Sequence, residues 1–348
     1  MKMRSKMATG MAMLAAYQIG QHFISLRKQM NFKGKVVLIT GGSRGLGLIL
    51  ARELGRQGAF VCICARQQDE LIQAKNWLAR EGVSSVIPYV CDVSNRQQVE
   101  DMIVAVKGQC GSIDILINNA GVISVAPFEH TTVADFEEVM NINFWGTLYP
   151  CLAVIEHMQE KDHGHIVNIT SIGGMIGLPH MLPYSAAKFA AVGFSQGLHA
   201  ELRKSGITVT TIVPGFMRTG SYVNAMVKGQ KEKEFAWFAV GENLPGISMN
   251  AERAAKKIVS AIRQRKSMQI IGMPAKIAIF LNNNFSNLFT SLQCAVHDLL
   301  PVADASSSMT SFIKTKGEDL HSSERTTSMR VLTRLGREAV NRYQRYQA

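Results

Sequence analysis

The chain has 348 residues, 47% of them hydrophobic and 18% charged, which supplies a large core and excludes wholesale disorder. Its length fits one large α/β domain with terminal additions rather than a small disulfide-stapled module. The formal net charge of +12 sits in the ends: residues 1–40 hold seven Lys or Arg and no acid, residues 314–348 hold eight against four acids, and residues 41–313 are left near neutral at +1, which disfavours a basic nucleic-acid-binding core and leaves a weak attraction of the ends to an anionic surface.

At the amino terminus, residues 7–26 are moderately apolar after a basic start. Gln18, Gln21 and His22 interrupt the run, so it falls short of the ~20 predominantly apolar residues of a spanning helix. No small-x-small cleavage signature follows it. The expectation is a helical extension over residues 1–32, lying on the domain, on a partner or on a membrane surface. The six cysteines form no CxxC pair, so neither a zinc ribbon nor a thioredoxin-like site is indicated. Cys62 and Cys64 alternate within an apolar run, as same-face strand residues do, and buried free thiols in a reducing compartment are expected.

From Lys35 onward short β-branched runs alternate with amphipathic stretches. Strands are predicted at Val36–Thr40, Phe60–Cys64, Ser85–Cys91, Ile113–Ile117, His165–Thr170, Thr208–Val213 and Ser267–Ile271. Helices are predicted near 44–56, 67–81, 95–109, 132–158, 183–204 and 250–264. Continuous apolar strands are buried on both faces, and regular strand–helix alternation gives a parallel sheet with right-handed crossovers and helices on both sides. A long connection, Pro214 to Ser248, breaks the rhythm and reads as functional. Beyond it, Leu281, Phe285, Leu288, Leu292, Ala295 and Leu299 recur at helical spacing within 277–300, which predicts one amphipathic helix packing back on the domain or in a dimer, with a membrane or substrate-entry surface as the minority reading. Residues 302–329 read as a flexible polar linker and 331–346 as a last basic amphipathic helix.

The first chemical motif is Thr40-Gly41-Gly42-Ser43-Arg44-Gly45-Leu46-Gly47, between the first strand and the first helix. Glycines there let the backbone approach a pyrophosphate, and the helix N-terminus offers free N–H donors and a positive dipole. At the end of the second strand an acid usually meets a ribose 2′-OH; here Ala65-Arg66 stands instead, with Arg44 in the glycine loop. Two guanidinium groups suit a 2′-phosphate, so NADP(H) is favoured over NAD(H).

With these residues the chain resembles the short-chain dehydrogenase/reductase family from about Lys33 to Ile271, and the remaining motifs follow in that family's order. Cys91-Asp92-Val93 ends the third strand, where the family places an Asp at the adenine. Asn118-Asn119-Ala120-Gly121 ends the fourth and corresponds to the N-N-A-G that borders the cofactor. Asn143-Phe144-Trp145-Gly146 matches the segment whose Asn completes a catalytic tetrad. Ser171 ends the fifth strand, Tyr184-Ser185-Ala186-Ala187-Lys188 matches Y-x3-K, and Pro214-Gly215 with Thr219 matches the P-G-x3-T stretch beside the nicotinamide. A lone Tyr-x3-Lys or a lone Ser after a strand means little; ordered together on matching elements they do not arise by accident.

The resemblance implies a Rossmann-type doubly wound parallel seven-stranded sheet over 33–273, with a substrate lid near 216–248; outside it the residue patterns give an N-terminal helical extension 1–32, an amphipathic extension 274–301 and a polar basic tail 302–348. Hydride transfer to a ketone leaves an alkoxide that needs a proton. Tyrosine at its free pKa of about 10 is a poor base. Lys188, one helical turn on, together with the charge of an oxidised nicotinamide, is expected to lower Tyr184. Ser171 donates to the carbonyl oxygen, and Asn143, by resemblance, holds a water that relays protons to Lys188. Apolar side chains flank Tyr184 (Leu178, Met181, Leu182) and fill the lid (Phe216, Met217, Tyr222, Met226, Phe235, Trp237, Phe238, Leu244). They point to an apolar, lipid-like ketone, aldehyde or secondary alcohol. Lys228, Lys231 and Lys233 form either a solvated face or a patch for an acidic substrate group. His163 and His165 are read as a loop-and-strand pair without a metal. The family implies a homodimer or homotetramer through the helices near 132–158 and 183–204. The free thiols point to the cytoplasm, with membrane association through the terminal segments as the alternative. The rival readings are a catalytically silent NADP(H)-binding regulator or scaffold and a membrane-surface protein.

Overall fold

The first strand, β1 (Val36–Thr40), is buried at every residue, and its alternate side chains feed two different cores. Val37 and Ile39 join one apolar cluster while Val36 and Leu38 join the other, as a strand covered on both faces requires. The computed structural model describes residues 29–303, 309–322 and 333–346. The expected N-terminal helix over residues 7–26 lies outside them.

The chain continues through α1 (Gly45–Gly55), β2 (Phe60–Ala65), α2 (Gln68–Arg80), β3 (Val86–Val90), α3 (Arg96–Cys110) and β4 (Ile115–Asn118). A two-residue strand, β5 (Ser124–Val125), and a helix, α4 (Val133–Met140), precede a π turn at Asn141–Trp145 that opens α5 (Gly146–Glu160). Then come β6 (Gly164–Ile169), α6 (Leu182–Glu201) and β7 (Ile207–Pro214). With β11 (Met268–Ile271) the strands form one seven-stranded parallel sheet in the order β11-β7-β6-β4-β1-β2-β3. α1 and α2 cover one face and α3 and α5 the other. Cys62 and Cys64 share the second core, buried and unpaired. After β3 the chain returns to the far side of β1, so a crevice opens at the carboxyl ends of β1 and β4, where ligands of doubly wound sheets bind.

The segment after β7 is folded rather than loose. It comprises β8 (Met217–Arg218), β9 (Met226–Val227), α7 (Lys231–Asn243) and β10 (Met249–Asn250), leading into α8 (Ala251–Arg263). Tyr222, Phe235 and Phe238 are fully buried in its own apolar cluster, which also takes in Met181 and partly buried Tyr184. Lys228 is neither solvated nor offered to substrate: buried, it donates to Asp135 of α4 at 2.6 Å. Lys314 forms an ion pair with the other oxygen of Asp135 at 2.9 Å and also pairs with Glu138.

Two expectations are corrected downstream. The stretch 277–300 is two helices, α9 (Met273–Asn284) and α10 (Ser286–His297), broken at Phe285, whose φ of −137° and ψ of 50° leave the helical region. The break re-aims the second helix, so Ile279 and Phe289 face the core beside Ile176 and Val213, while Phe285, Leu288, Leu292 and Leu299 point to solvent. The stripe expected to pack on the domain is therefore its exposed face. The polar tail is not free along its described length: β12 (Thr315–Lys316) pairs antiparallel with β9, α11 (Gly317–Ser322) follows, and α12 (Arg334–Tyr343) returns to the domain with Val340 and Tyr343 buried. No helix among the described residues is long and apolar enough to cross a membrane.

Candidate active site

The glycine loop closes tightly on its neighbours. A Cβ on Gly41 would lie 2.8 Å from Ala120 Cα, and one on Gly47 would lie 2.2 Å from the Gly41 carbonyl oxygen, so neither position has room for a side chain. Thr40 Oγ1 accepts from the backbone N–H groups of Asn119 (3.0 Å) and Ala120 (3.1 Å), and Asn119 Nδ2 donates back to the Thr40 and Gly41 carbonyls. These bonds tie the end of β1 to the end of β4. No side chain caps the N-terminus of α1 and no acid lies in its first turn, so its N–H groups and the positive end of its dipole remain suited to an anion. Gly45, Leu46 and Ser43 belong to this cradle; Leu46 and Ser43 are buried.

The two arginines differ. Arg66 is exposed at the end of β2, whereas Arg44 Nη1 is held by Glu70 Oε1 at 2.9 Å, with Ser43 Oγ donating to the other Glu70 oxygen at 3.0 Å. Sequence reasoning missed Glu70, although an acid in the first turn of α2 is a readable signal. Asp92 holds its own turn, accepting from Ser94 N and Oγ, and Val93 packs where a Cβ on Gly146 would stand. Gly215 donates to the Ile271 carbonyl, placing the Pro214-Gly215 turn against β11. Thr219 is buried, with Oγ1 3.0 Å from Ser221 Oγ.

Tyr184 sits in the first turn of α6, where Pro183 costs no needed N–H. Ser171, just past the end of β6, acts to lower the pKa of the Tyr184 phenol, and Ser171 Oγ accepts from Gly173 N at 3.1 Å. Lys188 follows one turn after Tyr184 on the same face; its Nζ lies 5.8 Å from the centre of the Tyr184 ring and donates to the Ile169 carbonyl at 3.3 Å. Asn143 is fully buried in the π turn, and both polar ends of its amide bond the Val122 backbone at 2.9 Å. A Cβ on Gly121 would fall 2.7 Å from Asn143 Oδ1 and 3.5 Å from Lys188 Nζ. Ser171, Tyr184, Lys188, Asn143 and Gly121 therefore gather at the carboxyl ends of β4 and β6, beside the glycine loop.

Burial dominates the electrostatics of these side chains. Burial pushes the Tyr184 phenol up to about 12, against the lowering effect of the Ser171 hydrogen bond, and the Glu242 charge raises it further. Burial likewise brings the Lys188 ammonium down to about 8. For both groups desolvation is the largest cause of the shift. Glu242, unmarked in the sequence, is buried on α7, accepts from Ser221 Oγ at 2.5 Å and from Tyr222 N at 2.9 Å, and is pushed up to about 7 by burial. A second unforeseen cluster faces the loop before Tyr184: His180, at a φ of 58°, sets Nδ1 2.9 Å from Glu234 Oε2, to which Trp237 Nε1 donates at 2.8 Å. It fastens α7 to that loop. His165 is buried against Thr210 Oγ1 at 2.8 Å and held by burial near a pKa of about 3.

The model of the short chain dehydrogenase family matches residues 35–228. The chain belongs to the short-chain dehydrogenase/reductase family. It is 32% identical over 263 residues to short-chain dehydrogenase/reductase family 16C member 6 of Bos taurus, spanning 75% of this chain and 79% of that protein. It is 34% identical to an epidermal retinol dehydrogenase 2 of Mus musculus over 70% of this chain and 76% of that one. It is 37% identical to a 3-ketodihydrosphingosine reductase of Mus musculus over 54% of this chain and 58% of that enzyme. Among solved structures, a gluconate 5-dehydrogenase from Burkholderia cenocepacia in complex with NADP and tartrate superposes with a TM-score of 0.61 at 26% identity, covering 71% of this chain and 98% of that one. As a short-chain dehydrogenase/reductase the chain is an oxidoreductase of CH–OH and C=O groups, on a fold that binds NAD(P).

Proposed function

We propose that this short-chain dehydrogenase/reductase is an NADP(H)-dependent carbonyl reductase and alcohol dehydrogenase for an apolar, lipid-like substrate. The convergence of Ser171, Tyr184 and Lys188 beside the glycine loop carries the reading. Thr40, Gly41, Ser43, Gly45, Leu46, Gly47, Asn119, Ala120 and Gly121 line the cradle for the dinucleotide, and Asp92, Val93, Pro214, Gly215 and Thr219 border it. A bound nicotinamide supplies or accepts the hydride. Ser171 donates to the substrate oxygen and Tyr184 gives it a proton in reduction or takes one in oxidation. Lys188, at 5.8 Å from the phenol ring, favours its ionised form. The Asn143 amide is engaged with Val122, so a relaying water there is held by the Asn143 carbonyl rather than by its side chain. Exposed Arg66 is the cation for a 2′-phosphate.

The apolar lid around Phe216, Trp237 and Phe238 supports a lipid-like substrate, and two relatives are named for a sphingoid ketone and for retinol. Exposed Trp145, Leu152 and Phe189 favour a homodimer or homotetramer across α5 and α6. The solvent-facing side of α9 and α10 favours a cytoplasmic chain held peripherally at a membrane surface. The test is NADPH and NADH oxidation, followed by absorbance, over apolar ketones and aldehydes of graded chain length. Turnover that rises with chain length and favours NADPH supports the reading; turnover confined to short polar carbonyls removes the lipid-like substrate.

A further inference from the structure

The C-terminal helix α12 ends where the glycine loop and the loop after β7 face each other. Gln344 Nε2 donates to the Thr219 carbonyl at 3.0 Å, and Gln344 Oε1 accepts from Asn224 Nδ2 at 3.1 Å. The same Gln344 nitrogen stands 3.1 Å from where a Cβ on Gly45 would be. Two residues on, the Tyr346 hydroxyl donates to the Ser43 carbonyl at 2.5 Å and lies 3.1 Å from that of Glu70. One short segment thus bonds to both banks of the crevice.

The fit is close along its whole length. A Cβ on Gly220 would lie 2.9 Å from Val340, and one on Gly336 would overlap the Asn243 amide of the lid helix α7. Tyr343 donates to Glu252 at 2.8 Å and sets its ring edge-on to Trp77 at 6.4 Å. Val340, Tyr343 and Tyr346 are all buried, so this is a built contact and not a tail lying loosely on the surface.

We propose that residues 334–346 form a strap that closes the outer side of the dinucleotide crevice, with Gln344 and Tyr346 as its fastenings, so that cofactor enters and leaves only when the strap lifts. The proposal rests on the cofactor site assigned above. Because the strap also packs on Asn243, its lifting loosens the lid helix, which couples cofactor exchange to the substrate side.

The experiment is stopped-flow measurement of NADPH association and dissociation, read by nucleotide fluorescence, on the full chain, on a chain ending at Thr333, and on the double variant Gln344→Ala/Tyr346→Phe. Circular dichroism checks that each variant is folded. The expected result is at least a tenfold rise in both rate constants on truncation and in the double variant, since two fastening hydrogen bonds at roughly a factor of five each multiply to about 25. Both rates unchanged in the folded double variant would overturn the strap while leaving the cofactor site intact. Failure of the full chain to bind either NADPH or NADH would remove the cofactor site, and the strap's role with it.

Discussion

Glu242 and Tyr184 oppose each other electrostatically: the lid-helix carboxylate raises the phenol that the Ser171 hydrogen bond lowers. Folded-state burial brings Glu242 itself up to about 7 from 4.5. The unfolded chain releases this proton first, so the stabilisation from Glu242 is full below pH 4.5 and is lost as pH rises through 7. Glu242→Gln removes the charge, so tyrosinate forms more easily. The midpoint of alcohol oxidation against pH should move to lower pH, and the fall in stability between pH 4.5 and 7 should shrink. A midpoint that stays put or rises would sink this coupling.

Cofactor choice should follow Arg66 more than Arg44, because Glu70 already holds Arg44. Arg66→Asp is expected to weaken NADPH by about tenfold or more while leaving NADH nearly unchanged, in line with roughly 1.5–3 kcal/mol for a charged hydrogen bond. Glu70→Gln, which frees Arg44, should strengthen NADPH. Fluorescence titration of both nucleotides checks this, and equal loss of NADPH and NADH in the Arg66 variant contradicts the 2′-phosphate reading.

The buried pair of Asp135 and Lys228 fastens the segment after β7, the proposed lid, to α4. Two ammonium groups hold the Asp135 carboxyl well below the usual carboxylate range despite burial. Asp135→Asn strands Lys228 without its counter-charge and should cost about 3 kcal/mol in urea denaturation, with Lys228→Met on that background recovering part of the loss. A cost under about 0.5 kcal/mol would show that the pair does not hold the lid.

Much of this molecule is written in local sequence. β1 occupies Val36–Thr40 as predicted, and the other six sheet strands lie within two residues at either end, because each is a continuous apolar run between turn residues. The glycine loop and Tyr-x3-Lys stretch were equally legible, since short spacing fixes which side chains share a face. Most of the contacts that were missed join positions far apart in the chain. Nothing near Tyr346 announces Ser43, 303 residues away, and nothing near Lys228 announces Asp135. The break at Phe285 escaped because the apolar spacing continues through it; only its backbone angles separate α9 from α10. The desolvation of Tyr184 is likewise not written locally: charge spacing is visible in a sequence, whereas burial depends on what the whole fold covers.

On the proposed mechanism Tyr184 moves the proton, and its hydroxyl adds little to cofactor binding. Tyr184→Phe keeps the ring and removes only the hydroxyl. NADPH binding, read by fluorescence, should stay within about twofold of the parent, while single-turnover reduction of the best apolar ketone should fall by about a hundredfold or more. Turnover within a few-fold of the parent, or loss of NADPH binding in step with turnover, would contradict the account.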